Sequence, residues 1–419
     1  MQAGLTQLKN ASLSLFRVKG FAVLVLINML LGVANSFIGP FNSLFGIEEV
    51  GMSNLSFGVF MTLSAVSGVI INTLIGRLSD YRINRRSLLI IAATAGTIGF
   101  IGYAFIRNYF ILLGISMFII GVASSSFSQI FAYTRESIVT SNVEDKDVPL
   151  YMNVFRMFFA LSWTVGPAIA SIVLLRAGFR GLFLSASLFY FLILMVTLFY
   201  LKTSPKKSVQ IGARVPSKLK HYVFQPYIAA NLVAFALIQA SITLSVMNVG
   251  LFVTKVLHAS EGQIGIIFSV PPIFEVPFML AFGVIATKID NKILIRLGAC
   301  IAAVYFILFF FVQHPWEIYL IQILSAAFIS ITNGIAITYF QNFIPGEPGT
   351  ATALYSNTSA VGNMLGSLLF GIMAGAFGYR NIYVACILFT SVALLLLFLF
   401  GGMKKETGHL IENKKKSMG

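Results

Sequence analysis

Long apolar runs separated by short polar stretches organise this chain from Gly20 to Gly402. A helix that crosses a bilayer needs about 20 predominantly apolar residues. The pattern predicts twelve such spans, at 20–46, 55–75, 87–106, 109–134, 149–174, 181–201, 224–252, 262–285, 293–313, 317–341, 350–376 and 380–402. The first run lacks a small-residue cleavage site and leads straight into further spans, so it reads as a helix and not as a removed signal. The expected fold class is an all-α membrane protein of twelve transmembrane helices.

The polar positions orient those spans. With the N-terminus inside, the inner segments hold 23 of the 29 lysines and arginines, the outer loops hold five, and Arg156 is the one left over. Basic residues accumulate on the cytoplasmic side of membrane proteins, so both termini are expected in the cytoplasm. The longest inner polar segment, Lys202 to His221, carries Pro205, Pro216 and six basic residues. It suits a flexible linker. The expected domains are residues 1–201, a six-helix bundle, 202–222, a cytoplasmic linker, and 223–419, a second six-helix bundle with a cytoplasmic tail.

Composition narrows the function classes. Of 419 residues, 58% are hydrophobic and 10% charged, with a mean hydropathy of +0.89. A soluble domain carries about 25% charged residues. A net charge of +15 taken alone would suit a nucleic-acid partner, but the basic residues sit in short loops between apolar runs. Cys300 and Cys386 fall inside apolar stretches and read as small core residues. No metal-ligand spacing, nucleophile–base pair or phosphate loop is present, so no enzyme activity, cofactor or metal is expected.

Candidate chemistry stands out against this background because ionisable groups are costly at membrane depth. Arg156 lies in the middle of an apolar run, and a cation there costs roughly 2.5–3.5 kcal/mol unless it has a wet cavity or a partner. Trp163 follows seven residues later, about 20° from the same helical azimuth and about 10.5 Å along the axis. A planar fork of donors and an aromatic face on one wall suit a sugar. The alternatives are a packing ion pair for Arg156 and an interfacial or core aromatic for Trp163. Among the fourteen acids, only Glu275 falls in mid-span and Glu136 at the inner end of a span. Glu275, between Pro272 and Pro277, is a candidate for proton coupling or sugar binding at an expected kink, or a protonated packing acid. Glu136 is a candidate partner over the substrate, or a solvated charge beside Arg135. Asn35, Gln129, Asn153 and Gln239, with Asn42, Asn248, Asn357 and Asn363, supply neutral hydrogen-bonding groups that could line a cavity or link helices.

Three resemblances extend this reading. Parallel six-helix repeats with a site at their interface are the plan of the major facilitator superfamily. The loop Gly76-Arg77-Leu78-Ser79-Asp80-Tyr81-Arg82-Ile83-Asn84-Arg85-Arg86 resembles that superfamily's signature between helices two and three, with Ile83 replacing its second glycine. In that motif Gly76 would allow close helix packing, Asp80 would cap a neighbouring helix, and Arg85 and Arg86 would anchor at the anionic leaflet. The Arg156/Trp163 spacing resembles helix five of the lactose permeases, which implies a glutamate on helix four over the sugar, the place Glu136 would take. Over nearly the whole chain, the runs 129–136, 161–167, Phe274-Glu275-Val276-Pro277 and 340–352 resemble the bacterial sugar efflux transporters. That resemblance implies export of small sugars or glycosides by proton antiport, with a sugar and protons as partners. It also implies a monomer in the bacterial inner membrane. A multidrug exporter of the same architecture is the alternative.

Overall fold

The computed structural model describes residues 20–81, 83–141, 148–202, 225–344 and 348–400, and these are helical apart from short connections. Ten helices are long and apolar enough to cross a membrane. In chain order they are α1 (Phe21–Glu49), α2 (Asn54–Tyr81), α3 (Arg85–Phe105), α4 (Tyr109–Val139), α5 (Val148–Phe199), α6 (Pro226–Val256), α7 (Gly262–Ile285), α8 (Asn291–Phe311), α9 (Pro315–Phe343) and α10 (Pro348–Phe400). The expected linker beyond Lys202 lies outside the described residues.

The difference between twelve apolar runs and ten helices has a local cause. The runs 149–174 and 181–201 are joined through α5, and 350–376 and 380–402 through α10. One non-helical glycine interrupts each helix, Gly178 (φ 62°) and Gly378 (φ 77°). Positive φ is open to glycine at little steric cost, so a single residue turns the chain without a separate loop. The other starts follow ordinary capping rules. Asn84, Asn108 and Asp290 accept backbone N–H groups of the first turns of α3, α4 and α8. Pro226 and Pro315 occupy the first turn, where a missing N–H costs nothing.

The first five helices and the last five carry matching details. α1 and α6 both end in a π-helical turn, Phe45–Glu49 and Phe252–Val256. The ring that opens each turn packs edge-on against an aromatic near the end of the set, Phe45 on Phe183 at 4.5 Å and Phe252 on Tyr383 at 5.2 Å. A guanidinium covers each ring, Arg107 at 5.1 Å and Arg380 at 5.3 Å. Arg86 donates to the carbonyls of Thr197 and Leu198, and Arg296 donates to those of Leu397 and Phe398. Both arginines therefore satisfy carbonyls that a helix C-terminus leaves without donors. Arg86, expected at the leaflet surface, is thus also tied to the end of α5.

The two sets meet closely at one end. A Cβ on Gly58 of α2 would lie 2.8 Å from the Cα of Gly371 in α10, and one on Gly265 of α7 would lie 2.4 Å from the Pro167 carbonyl oxygen of α5. Only glycine permits such backbone approach between membrane helices. At the same end Glu48 pairs with Lys255 at 2.8 Å, and the Tyr379 hydroxyl donates to Asn54 at 3.2 Å.

Candidate functional site

A cavity of about 570 Å³ lies between the two sets of helices. Its wall takes residues from α1 and α4–α10, and among them are Arg156 and Trp163 of α5 and Glu275 of α7. The helical spacing of seven puts the first two on one face, and the structure turns that face to the cavity. Arg156 is exposed there, and among the described residues no carboxylate lies within 4.0 Å of its guanidinium. The packing ion pair considered from sequence is therefore absent from this conformation of the described residues.

Glu275 sits on a helix that runs unbroken from Gly262 to Ile285 through Pro271, Pro272 and Pro277. Each proline removes one backbone donor, which leaves the carbonyl four residues earlier without its helical partner. The Ser330 hydroxyl of α9 donates to the Glu275 carbonyl oxygen at 3.1 Å and ties the helix to its neighbour.

Trp163 lines this cavity and also a second one of about 310 Å³ enclosed by α1–α5. A Cβ on Gly39 would lie 3.1 Å from the indole Cη2, so the ring is seated against bare backbone. That backbone is the short 3₁₀ stretch Gly39–Phe41 interrupting α1. Irregular backbone at membrane depth is tolerated where it faces protein or a wet cavity. The indole Nε1 is buried with no acceptor among the described residues.

Several expected site residues lie elsewhere. Glu136 is not in the cavity wall, because the Arg85 Nε donates to its Oε1 at 2.6 Å and holds it at the end of α4. In this conformation Glu136, expected over a substrate, is therefore held away from the cavity, and Arg85, expected at the leaflet, faces α4. An oppositely charged partner already provided by α3 outcompetes a reach toward the cavity. Gln239 donates to Asn363 at 2.9 Å, an α6–α10 link outside the wall. Gln129 is buried with its Oε1 unpartnered and outside both cavities. Asn35 lines the second cavity, with its amide donating to the Leu31 carbonyl. A Cβ on Gly76 would meet open space, so close packing does not explain that glycine. The side chains of Asn153 and Asp80 lie outside the described residues.

Sequence reading missed part of the wall. Gln322, Ser325, Ser330 and Asn333 of α9 face the cavity, and Tyr355 of α10 donates to Asn333 at 3.1 Å. Gln322 and Asn333 are eleven apart, about 20° from one azimuth. This polar stripe in an apolar run was the available signal, faint because it contains no ionisable group.

A sequence model of the Major Facilitator Superfamily matches residues 24–249 and 232–417. With this all-helical fold and central cavity, the chain belongs to the Major Facilitator Superfamily, a multi-pass membrane transporter and not an enzyme. Within it the chain sits among the bacterial sugar efflux transporters. A relative from Deinococcus radiodurans, named for sugar efflux, is 33% identical over 368 residues, which cover 87% of this chain and 93% of the relative. Sugar efflux transporter A of Dickeya chrysanthemi is 28% identical over 87% of this chain and 91% of its own length. The crystal structure of a nucleoside transporter superposes with a TM-score of 0.75 at 15% identity, covering 92% of this chain and 98% of that one. At that identity the likeness concerns the fold alone.

Proposed function

We propose that this protein exports small sugars or glycosides by proton antiport, as a twelve-span monomer in a bacterial inner membrane with both termini cytoplasmic. The sugar reading follows the names of relatives that match nearly end to end. The twelve-span count follows from length. A helix rises about 1.5 Å per residue, so α5 and α10 drawn straight would each approach ~78 Å, against a hydrocarbon core of ~30 Å. The glycine breaks at 178 and 378 support two spans in each. The paired arginines, π-turns and aromatic corners support two repeats, residues 1–201 and 223–419, joined by a linker at 202–222. In this reading the glycine contacts of α2 with α10 and of α5 with α7 seal the outer face.

The observation that carries the proposal is the convergence of Arg156, Trp163 and Glu275 on one cavity. The guanidinium offers a fork of donors to adjacent hydroxyls, the indole offers a face to ring C–H groups, and the carboxyl offers an acceptor or a proton. Gln322, Asn333 and Tyr355 add neutral hydrogen bonds from the opposite side. Rocking of the two repeats would expose this site alternately to each face. Glu275, the one acid in the wall, is the group that would exchange the proton.

One feature favours the multidrug reading as an alternative. Much of the wall is Phe, Met, Ile and Val, including Phe127, Met157, Phe159 and Phe328, and such surfaces adapt to greasy ligands. Counterflow in sealed vesicles separates the two. The sugar reading expects labelled galactosides or glucosides to exchange and to compete with one another. Exchange of hydrophobic dyes with no galactoside or glucoside exchange would reject it.

A further inference from the structure

Behind Trp163 lies a chamber that the transport cycle described above leaves without a role. It is smaller than the main cavity, about 310 Å³, and lined by α1–α5 and by Met52 between α1 and α2. Pockets from about 300 Å³ upward hold small ligands. Only two residues belong to both cavities, Gly39 and Trp163. The indole is therefore the partition, and the missing side chain at Gly39 is what lets its Cη2 edge close the gap.

The rear wall has a definite chemistry. Asn35, Asn42, Ser64, Ser116 and Ser124 bring amides and hydroxyls, and rings such as Tyr103 bring flat apolar faces. Ser64 and Ser116 are already joined at 2.7 Å. No residue in that wall carries a charge, in contrast to Arg156 and Glu275 in front. Neutral hydrogen-bonding groups set among aromatic faces fit an uncharged polyol and offer nothing to an ion. The indole N–H is buried and has no acceptor among the described residues, so it is free to take a new partner if the ring moves.

We propose that the chamber behind Trp163 is a subsite for the second ring of an oligosaccharide, and that the indole sets the size limit of the substrate. This rests on the sugar reading of the main cavity. A single ring would sit in front, against Arg156 and the closed indole. A longer sugar would displace the indole edge from Gly39 and pass its second ring to Asn35, Asn42 and Ser64. The indole N–H would then meet a hydroxyl.

Purified full-length protein and three probes, methyl galactoside, lactose and raffinose, test this by titration calorimetry. Ser64→Leu and Met61→Phe fill the rear chamber from α2 and are expected to weaken lactose and raffinose by about tenfold or more while methyl galactoside keeps its affinity. Retained methyl galactoside binding also shows that each variant is folded. Trp163→Ala is expected to weaken methyl galactoside by about tenfold and to lower the preference for it over lactose. If the filling variants change all three sugars equally or change none, the subsite is wrong while the main site stands. If the wild-type protein binds none of the probes, the sugar reading itself falls and takes the subsite with it.

Discussion

Gly58→Ala should unlock the outer face. The new Cβ would lie 2.8 Å from the Gly371 Cα, 2.9 Å from the Gly371 nitrogen and 2.9 Å from the Ser367 carbonyl oxygen. All three are backbone atoms of α10, so no side chain can rotate out of the way, and α2 and α10 must separate to regain van der Waals distance. Overpacking of this kind costs about 1–3 kcal/mol. If that cost falls only on the conformation in which the outer face is sealed, the equilibrium moves toward outward-open by roughly 5- to 150-fold.

The assay is labelling of Ala160→Cys, a cavity-lining position, by a membrane-impermeant maleimide added outside, with Cys300 and Cys386 replaced by Ala. Gly58→Ala should speed labelling within that range. Gly68→Ala on the same helix is the control, because nothing lies within 4 Å of its Cβ position. There the substitution should leave labelling unchanged and add only helix propensity, up to about 1 kcal/mol. Equal labelling of Gly58→Ala and the parent would refute the glycine contact as the outer seal. So would an equal rise for Gly68→Ala.

Burial pushes the Glu261 carboxyl up, and the neighbouring Glu48 and Glu49 charges push it further. If the acids move apart when the face opens, the sealed state binds the proton more tightly, so falling pH favours sealing and rising pH opposes it. Relative to a fully exposed reference cysteine, external labelling of Ala160→Cys should slow as pH falls from about 8 to about 5, and Glu261→Gln should flatten that ratio; a pH-independent ratio in the parent rejects the mechanism. Glu136→Gln should leave sugar affinity intact while amides near Arg85 exchange several-fold faster, as expected for loss of a partly exposed ion pair worth about 1 kcal/mol. Weakened sugar affinity would return Glu136 to the binding site. Glu275→Gln should abolish accumulation driven by a pH gradient yet retain counterflow, and full gradient-driven accumulation would remove Glu275 as the proton carrier.

The apolar runs made the membrane class and nearly every helix legible, because length and hydropathy alone decide what can cross a bilayer. What they could not reveal was connectivity at Gly178 and Gly378, where one residue does the work of a loop. Arg156, Trp163 and Glu275 were legible for a different reason. Ionisable groups are costly inside a membrane, so their mere presence marks them, and helical spacing shows which share a face. Sequence gives no hint that Arg85, 51 residues away, pairs with the Glu136 carboxylate in this conformation. Gln322 and Tyr355 escaped because a neutral polar group in a helix carries too little cost to stand out singly. The roles of Gly39 and Gly58 were hidden because a glycine announces freedom but not which neighbour needs the space.

The sugar reading depends on the planar fork of the Arg156 guanidinium meeting adjacent hydroxyls. Calorimetric titration of Arg156→Lys with a galactoside or glucoside that the wild-type protein binds tests this most directly, since lysine keeps the charge but loses the fork. Charge-assisted hydrogen bonds are worth about 1.5–3 kcal/mol each, so loss of one predicts affinity roughly tenfold to a hundredfold weaker. Wild-type affinity in Arg156→Lys would contradict the account.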